Sequence, residues 1–287
     1  MLHRIAAKDT KPLVLLDGAT GTSLWELSEN KVPVWRYNLE NPDIVIKVHS
    51  DMAEAGAQIL LASTFGVNAM ALQKEGQDVS AVTQAGVRLC RQASAGRCLV
   101  ALSSGPLLGL MEPYGDITQE EAEALYDEVF NAGMQEKPDL IYLETFIDLE
   151  MLKVAARCAR KHDVPLFCTM SFEKVGKTMM GNSVADMVEG LAPYCPDAIG
   201  LNCSLGPDLA MPVLKQFRQH TDLPLIFKPN AGRTTLVDGK SVTELDPDQF
   251  VMDVLPAGQS GATYLGGCCG ADASYIRKLH MALQTQH

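Results

Sequence analysis

Of the eight cysteines in this 287-residue chain, three stand in settings suited to chemistry. Cys203 follows Gly200-Leu201-Asn202, and Cys268 and Cys269 form a vicinal pair inside Gly266-Gly267-Cys268-Cys269-Gly270. A vicinal pair does not easily form a relaxed disulfide with itself, but flanking glycines let both sulfurs turn toward one point. With Cys203 as the third leg, the set matches Zn²⁺ held by three protein ligands, which keeps the fourth position open for a substrate. The ordinary reading of a free cysteine is a small buried hydrophobe, and that is expected for most of Cys90, Cys98, Cys158, Cys168 and Cys195. A redox dithiol is the other reading, weakened by the absence of any CxxC. Two carboxylates, Asp17 in Leu16-Asp17-Gly18-Ala19-Thr20-Gly21-Thr22 and Glu144 in Leu143-Glu144-Thr145, also close apolar runs.

Such a set works only if the fold gathers it. Runs rich in Val, Ile, Leu and Phe recur at Leu13–Gly18, Ile59–Thr64, Leu99–Gly105, Leu140–Thr145, Pro165–Ser171, Ala198–Ser204, Pro224–Asn230 and Ala262–Cys269. Each is nearly continuous in apolar residues, the pattern of parallel strands covered on both faces. Helical signals fill the intervals: the capping box Thr118-x-x-Glu121, Asp246 before Pro247, and Gly96 beyond the stretch containing Val87 and Leu89. The alternation predicts an α/β fold, a single (βα)8 TIM-type barrel over residues 1–287, near the roughly 250 residues usual for that architecture. The competing open doubly wound sheet lacks a GxGxxG or GxxxxGK[ST] after any run. The connection from Ala19 to about Asn41 is long and carries Trp25, Trp35 and Tyr37, so an extra element or a cover over the barrel mouth is expected there. Barrel active sites form at the C-terminal strand ends, which predicts that Asp17, Glu144, Cys203, Cys268 and Cys269 share one face.

Composition removes other classes. Lys+Arg number 24 against 35 Asp+Glu, a net charge of −11 with no basic cluster, so a nucleic-acid backbone is not the expected partner. No apolar run approaches the roughly 18 residues that cross a bilayer, and no export signal opens the chain. A cytoplasmic protein, with no membrane partner and with cysteines as thiols or metal ligands, is the expectation. The six histidines include no HExxH pair, and GxSxG is absent.

Taken in order, Asp17–Thr22, Ala55-Gly56-Ala57, Ser63-Thr64-Phe65-Gly66-Val67-Asn68, Ser104-Gly105-Pro106, Glu144-Thr145, Gly200–Cys203, Pro229-Asn230-Ala231-Gly232 and Gly266–Gly270 span nearly the whole chain. This ordered set resembles the homocysteine S-methyltransferases, whose barrel carries zinc on one cysteine after strand six and a vicinal pair after strand eight. The resemblance implies that Cys203, Cys268 and Cys269 hold Zn²⁺ and that the substrate is homocysteine. It also implies that Asp17 and Glu144 receive the substrate's ammonium group, that the Gly18 and Ala19 amides take its carboxylate, and that Asn202 orients the loop bearing Cys203.

The segment Ser63–Asn68 looks more like the cobalamin-dependent methionine synthases than the betaine-dependent enzymes. Two positions depart: Ser63, where those synthases usually have Asn, and Arg233, where Pro commonly follows the Pro-Asn-Ala-Gly turn. A complete synthase of that kind would continue into folate, corrinoid and activation domains. The methyl group is therefore expected on a methyl-corrinoid supplied in trans by a separate protein. Alternatives are a small donor such as S-methylmethionine or betaine, or a non-catalytic zinc-binding or redox-sensing barrel.

Overall fold

The computed structural model describes residues 13–28, 31–237 and 240–285. The strands in chain order are β1 (Val14–Leu15), β2 (Ile59–Leu61), β3 (Leu99–Ser104), β4 (Leu140–Phe146), β5 (Leu166–Met170), β6 (Ala198–Asn202), β7 (Leu225–Lys228), β8 (Thr234–Val237), β9 (Lys240–Thr243) and β10 (Ala262–Leu265). Eight of them form one sheet in the order β1-β10-β7-β6-β5-β4-β3-β2, each pair parallel. The two ends meet where Leu16 bridges Ile59 and the Asp17 N–H donates to Ile59 O at 3.1 Å. The architecture is a (βα)8 barrel, and each of the eight apolar runs supplies a strand.

Strand alternation splits the apolar residues into two layers. Val14 and Leu16 face the barrel interior with Leu61, Tyr142, Phe167, Ile226 and Tyr264, while Leu15 joins the layer between sheet and helices. Tyr142, Phe167 and Tyr264 fill the interior, with ring centroids 6.0 and 4.6 Å apart in succession. Each buried aromatic of this kind contributes roughly 1.5–3 kcal/mol and leaves no room for a pore. They form a rigid floor under the strand ends.

Helix boundaries follow their local chemistry. The Thr118–Glu121 capping box closes in both directions, Asp246 caps the helix Pro247–Val254, and Ala95 and Gly96 (φ 47° and 74°) end the helix Val79–Ser94. The long first connection holds the helix Thr20–Leu27 and a turn at Val34–Arg36; of its three aromatic residues Trp35 and Tyr37 are buried, and Trp25 reaches the mouth along with Val34. The antiparallel hairpin of β8 and β9 lies outside the eight-strand expectation. Its signal was in the sequence: Thr234-Thr235-Leu236-Val237, Asp238-Gly239, then Lys240-Ser241-Val242-Thr243 is a hairpin pattern. Among the described residues no helix is long and apolar enough to cross a membrane.

Candidate active site

At the C-terminal ends of the strands lies a cavity of about 260 Å³, lined in part by Asp17, Gly18, Ala19, Glu144, Cys203, Cys268 and Cys269. Residues far apart in the chain thus meet on the face where the barrel reading expects them. The three sulfurs lie within 4.8 Å of one another, the one such group of potential metal donors among the described residues. Cys203 Sγ and Cys269 Sγ are 3.8 Å apart, and tetrahedral zinc with Zn–S near 2.3 Å needs sulfurs about 3.8 Å apart, so the donor set fits. Hydrogen bonding with Cys268 pulls the Cys203 thiol down, but its contact with Cys269 and its burial win and push it up to about 11. A cation is needed to hold these sulfurs as thiolates near neutrality.

The turns that carry the cysteines are shaped by their neighbours. Cys203 and Ser204 leave β6 with φ of 61° and 59°, a left-handed step that ends the strand earlier than its apolar run. The exit of β7 binds both cysteine turns. Lys228 O accepts from the Cys203 N–H (3.2 Å), Pro229 O accepts from the Cys268 N–H (2.7 Å), and the Ala231 N–H donates to Cys269 O (3.0 Å). The Pro229–Gly232 turn is therefore the bracket that sets one cysteine loop against the other. At Gly18 the backbone approaches Ala271 O so closely that a Cβ would sit 2.1 Å from it, which excludes any side chain there.

Glu144 reaches the cavity through a break in strand register. Pairing of β4 with β5 shifts between Leu143 and Phe146, and Thr145 has φ 64°, costly for a β-branched residue. Such bulges re-aim side chains. Asn202 holds this one in place: its Oδ1 accepts from the Thr145 N–H (2.9 Å) and Thr169 Oγ1 (2.8 Å), and its Nδ2 donates to Thr145 Oγ1 (2.8 Å). The same Nδ2 is 3.8 Å from Cys268 Sγ. Asn202 is fully buried behind the wall and serves the Glu144 bulge as well as the cysteine turn. Ser103 Oγ donates to Glu144 Oε1 at 2.5 Å. Burial lifts the Glu144 carboxyl above its usual range, against the opposing pull of Lys228 and Ser103.

Asp17 is fully buried, its Oδ2 accepting from the Leu61 N–H (2.7 Å) and its Oδ1 3.3 Å from Lys228 Nζ. The Ala19 N–H already donates to Ala271 O (2.8 Å), so of the two turn amides expected to be open only that of Gly18 is a candidate. Thr20, Gly21 and Thr22, the first turn of the helix Thr20–Leu27, also line the cavity, and that helix has no side-chain cap. Sequence reasoning missed Lys228, Ser103 and Thr145; a charged residue inside the otherwise apolar Leu225-Ile226-Phe227-Lys228 was the available signal for the first. Of the remaining cysteines, Cys90, Cys98, Cys158 and Cys168 are buried as expected, while Cys195 is exposed at a left-handed turn.

Residues 14–283 match the model of the homocysteine S-methyltransferase family. The chain belongs to that family, a family of methyltransferase enzymes. It is 26% identical to a methionine synthase of Mycobacterium leprae over 93% of its own length, and it spans 24% of that relative's length. Among solved structures it is similar to the homocysteine methyltransferase MmuM from Escherichia coli. The oxidised form aligns with TM-score 0.82 at 22% identity, covering 96% of this chain and 98% of that one. The metallated form gives TM-score 0.81 at 24% identity over 96% and 97%. These likenesses establish the fold.

Proposed function

We propose that this barrel transfers a methyl group to homocysteine, forming methionine, with Cys203, Cys268 and Cys269 holding Zn²⁺. The observation that carries the reading is the convergence of three sulfurs within 4.8 Å at the floor of a cavity whose wall also holds Glu144. Bound there, zinc would lower the proton affinity of an incoming thiol and leave its sulfur electron-rich. Glu144, aimed inward by its bulge, accepts charge-assisted hydrogen bonds from the substrate's ammonium group. The Gly21 and Thr22 N–H groups in the uncapped first turn, together with the Gly18 amide, receive the α-carboxylate, since helix N-termini present unpaired N–H groups and a positive dipole end. The Thr20 N–H is taken by Gly18 O (3.1 Å). With both ends of the amino acid held, the substrate sulfur faces the cysteine cluster. The thiol proton leaves to solvent, the S–CH3 bond forms, and the donor–CH3 bond breaks with its electron pair staying on the donor.

The methyl donor is proposed to be a methyl-corrinoid carried by a separate protein, in line with the likeness of Ser63–Asn68 and of the whole chain to methionine synthases. Within that segment Ser63 and Phe65 line the cavity, whereas Asn68 caps the next short helix. A second reading is favoured by Trp25 and Phe65 on the same wall: aromatic faces attract a sulfonium or quaternary ammonium donor such as S-methylmethionine or betaine. The test is zinc-loaded protein with homocysteine and, separately, a methylated corrinoid protein, methylcobalamin, S-methylmethionine or betaine, with methionine quantified. Methionine from a corrinoid donor alone supports the first donor, and methionine from a small cation alone supports the second. No methionine from any donor, with no homocysteine binding, contradicts the function itself.

A further inference from the structure

Lys228 ends β7 and is 2% exposed, yet its ammonium group touches three residues in two other turns of the site. Its Nζ lies 3.3 Å from Asp17 Oδ1, donates to Gly18 O at 3.3 Å and donates to Gly267 O at 2.7 Å. Asp17 and Gly18 belong to the connection leaving β1; Gly267 belongs to the connection leaving β10 and is two residues before Cys269. The Lys228 carbonyl meanwhile accepts from the Cys203 N–H. One residue therefore contacts both cysteine-bearing turns and the turn bearing Asp17.

A buried cation persists only where its charge is answered by close, hydrogen-bonded partners. Asp17 supplies the opposite charge at 3.3 Å, with no hydrogen bond at its Oδ1, while the Gly18 and Gly267 carbonyls supply the hydrogen bonds. Asp17 Oδ2 is turned to the Leu61 N–H and its Oδ1 to Lys228. Glu144 differs, because it stands half-buried on the cavity wall with Ser103 at one oxygen. Burial works against the Lys228 charge, but Asp17, Cys268 and Glu144 outweigh it and hold the ammonium group charged.

We infer that Lys228 is a positioning residue with two effects. It staples the Gly267–Cys269 turn to the Asp17–Gly18 turn so that the three sulfurs converge, and by neutralising Asp17 it leaves Glu144 as the carboxylate that receives the substrate's ammonium group. The second effect rests on the homocysteine reading above; the first does not.

Three proteins test this: Lys228→Met, Asp17→Asn/Lys228→Met and Glu144→Gln. Each is titrated with zinc against a chromophoric chelator, then saturated with zinc and titrated with homocysteine by calorimetry. Zinc affinity is expected to fall about tenfold or more in both Lys228 variants and to hold in Glu144→Gln. Homocysteine affinity of the zinc-saturated double variant should fall less than that of Glu144→Gln, which loses about tenfold or more. General loss of integrity would move both constants together, so the split between them is the signature. If Lys228→Met fails to fold because it strands the Asp17 charge, the double variant, which removes both charges, carries both readings. Unaltered zinc affinity in the double variant overturns the staple. A loss of homocysteine affinity there equal to that of Glu144→Gln overturns the division between the carboxylates. Failure of the unaltered chain to bind homocysteine would instead overturn the substrate reading, leaving the zinc arm to be judged alone.

Discussion

The two halves of the barrel mouth are built on different physical terms. On the sulfur side, Cys203, Cys268 and Cys269 are partly exposed and held in shape mainly by backbone hydrogen bonds to the exit of β7, with the Lys228 ammonium group on Gly267 O as the one charged tie to the other half. On the charged side, position depends on electrostatic partners: Asp17 on Lys228, and Glu144 on Ser103 and on the bulge that Asn202 secures. Backbone geometry tolerates side-chain replacement, whereas a buried charge that loses its partner is costly. Substitutions in the sulfur half should therefore remove chemistry and leave the fold, while those in the charged half should trade stability against recognition.

The largest effect expected is on the sulfur side. Cys203→Ser, Cys268→Ser and Cys269→Ser should each abolish methyl transfer and lower the bound zinc well below the one equivalent that a three-cysteine site holds, roughly. Elemental analysis with a methionine assay checks this. Full zinc and full activity in any one variant would take that cysteine out of the set.

Next comes acid stability on the charged side. His49 is fully buried, with Nε2 3.0 Å from Ser63 Oγ on the cavity wall, and burial pushes its pKa down to about 4. Its folded value lies below the ordinary 6.5 of the unfolded chain, so the unfolded chain takes up the proton first. Stability from this group is complete above pH 6.5 and is lost as pH falls toward 4, by up to about 3 kcal/mol. Urea unfolding with zinc chelated should show this loss, and His49→Gln should flatten it. The same slope in the variant would place the acid sensitivity elsewhere.

Glu144→Gln should weaken homocysteine binding by roughly 1.5–3 kcal/mol, about tenfold or more, with zinc retained. Loss of zinc in that variant would mean that the two halves are not separable. The smallest effect is expected from Ser103→Ala, which removes one hydrogen bond to Glu144 and should cost about 1 kcal/mol of homocysteine affinity. Calorimetry checks both, and an effect of Ser103→Ala exceeding that of Glu144→Gln would show that the serine meets the substrate itself.

How much was legible in the sequence follows the same division. The eight strands announced themselves as apolar runs, and the cysteine set could be picked out because a vicinal pair among glycines and a cysteine at a strand end are unusual placements for small hydrophobes. Asp17 and Glu144 were visible as carboxylates closing apolar runs. Their partners were not, because the Asp17–Lys228 contact joins β1 to β7, which come together only because both pair with β10. The aim of Glu144 depends on a left-handed Thr145 that no local propensity favours, held by an asparagine from β6. Tertiary hydrogen bonds override local preference there, as they do at Cys203.

The central claim, that three cysteines hold zinc with its open position offered to a thiol substrate, is met most directly by zinc-edge X-ray absorption on the zinc-loaded chain before and after homocysteine. The result expected is three sulfur neighbours at about 2.3 Å without substrate and a fourth sulfur at that distance with it. A zinc shell without three sulfurs, or one that homocysteine leaves unchanged, would contradict it.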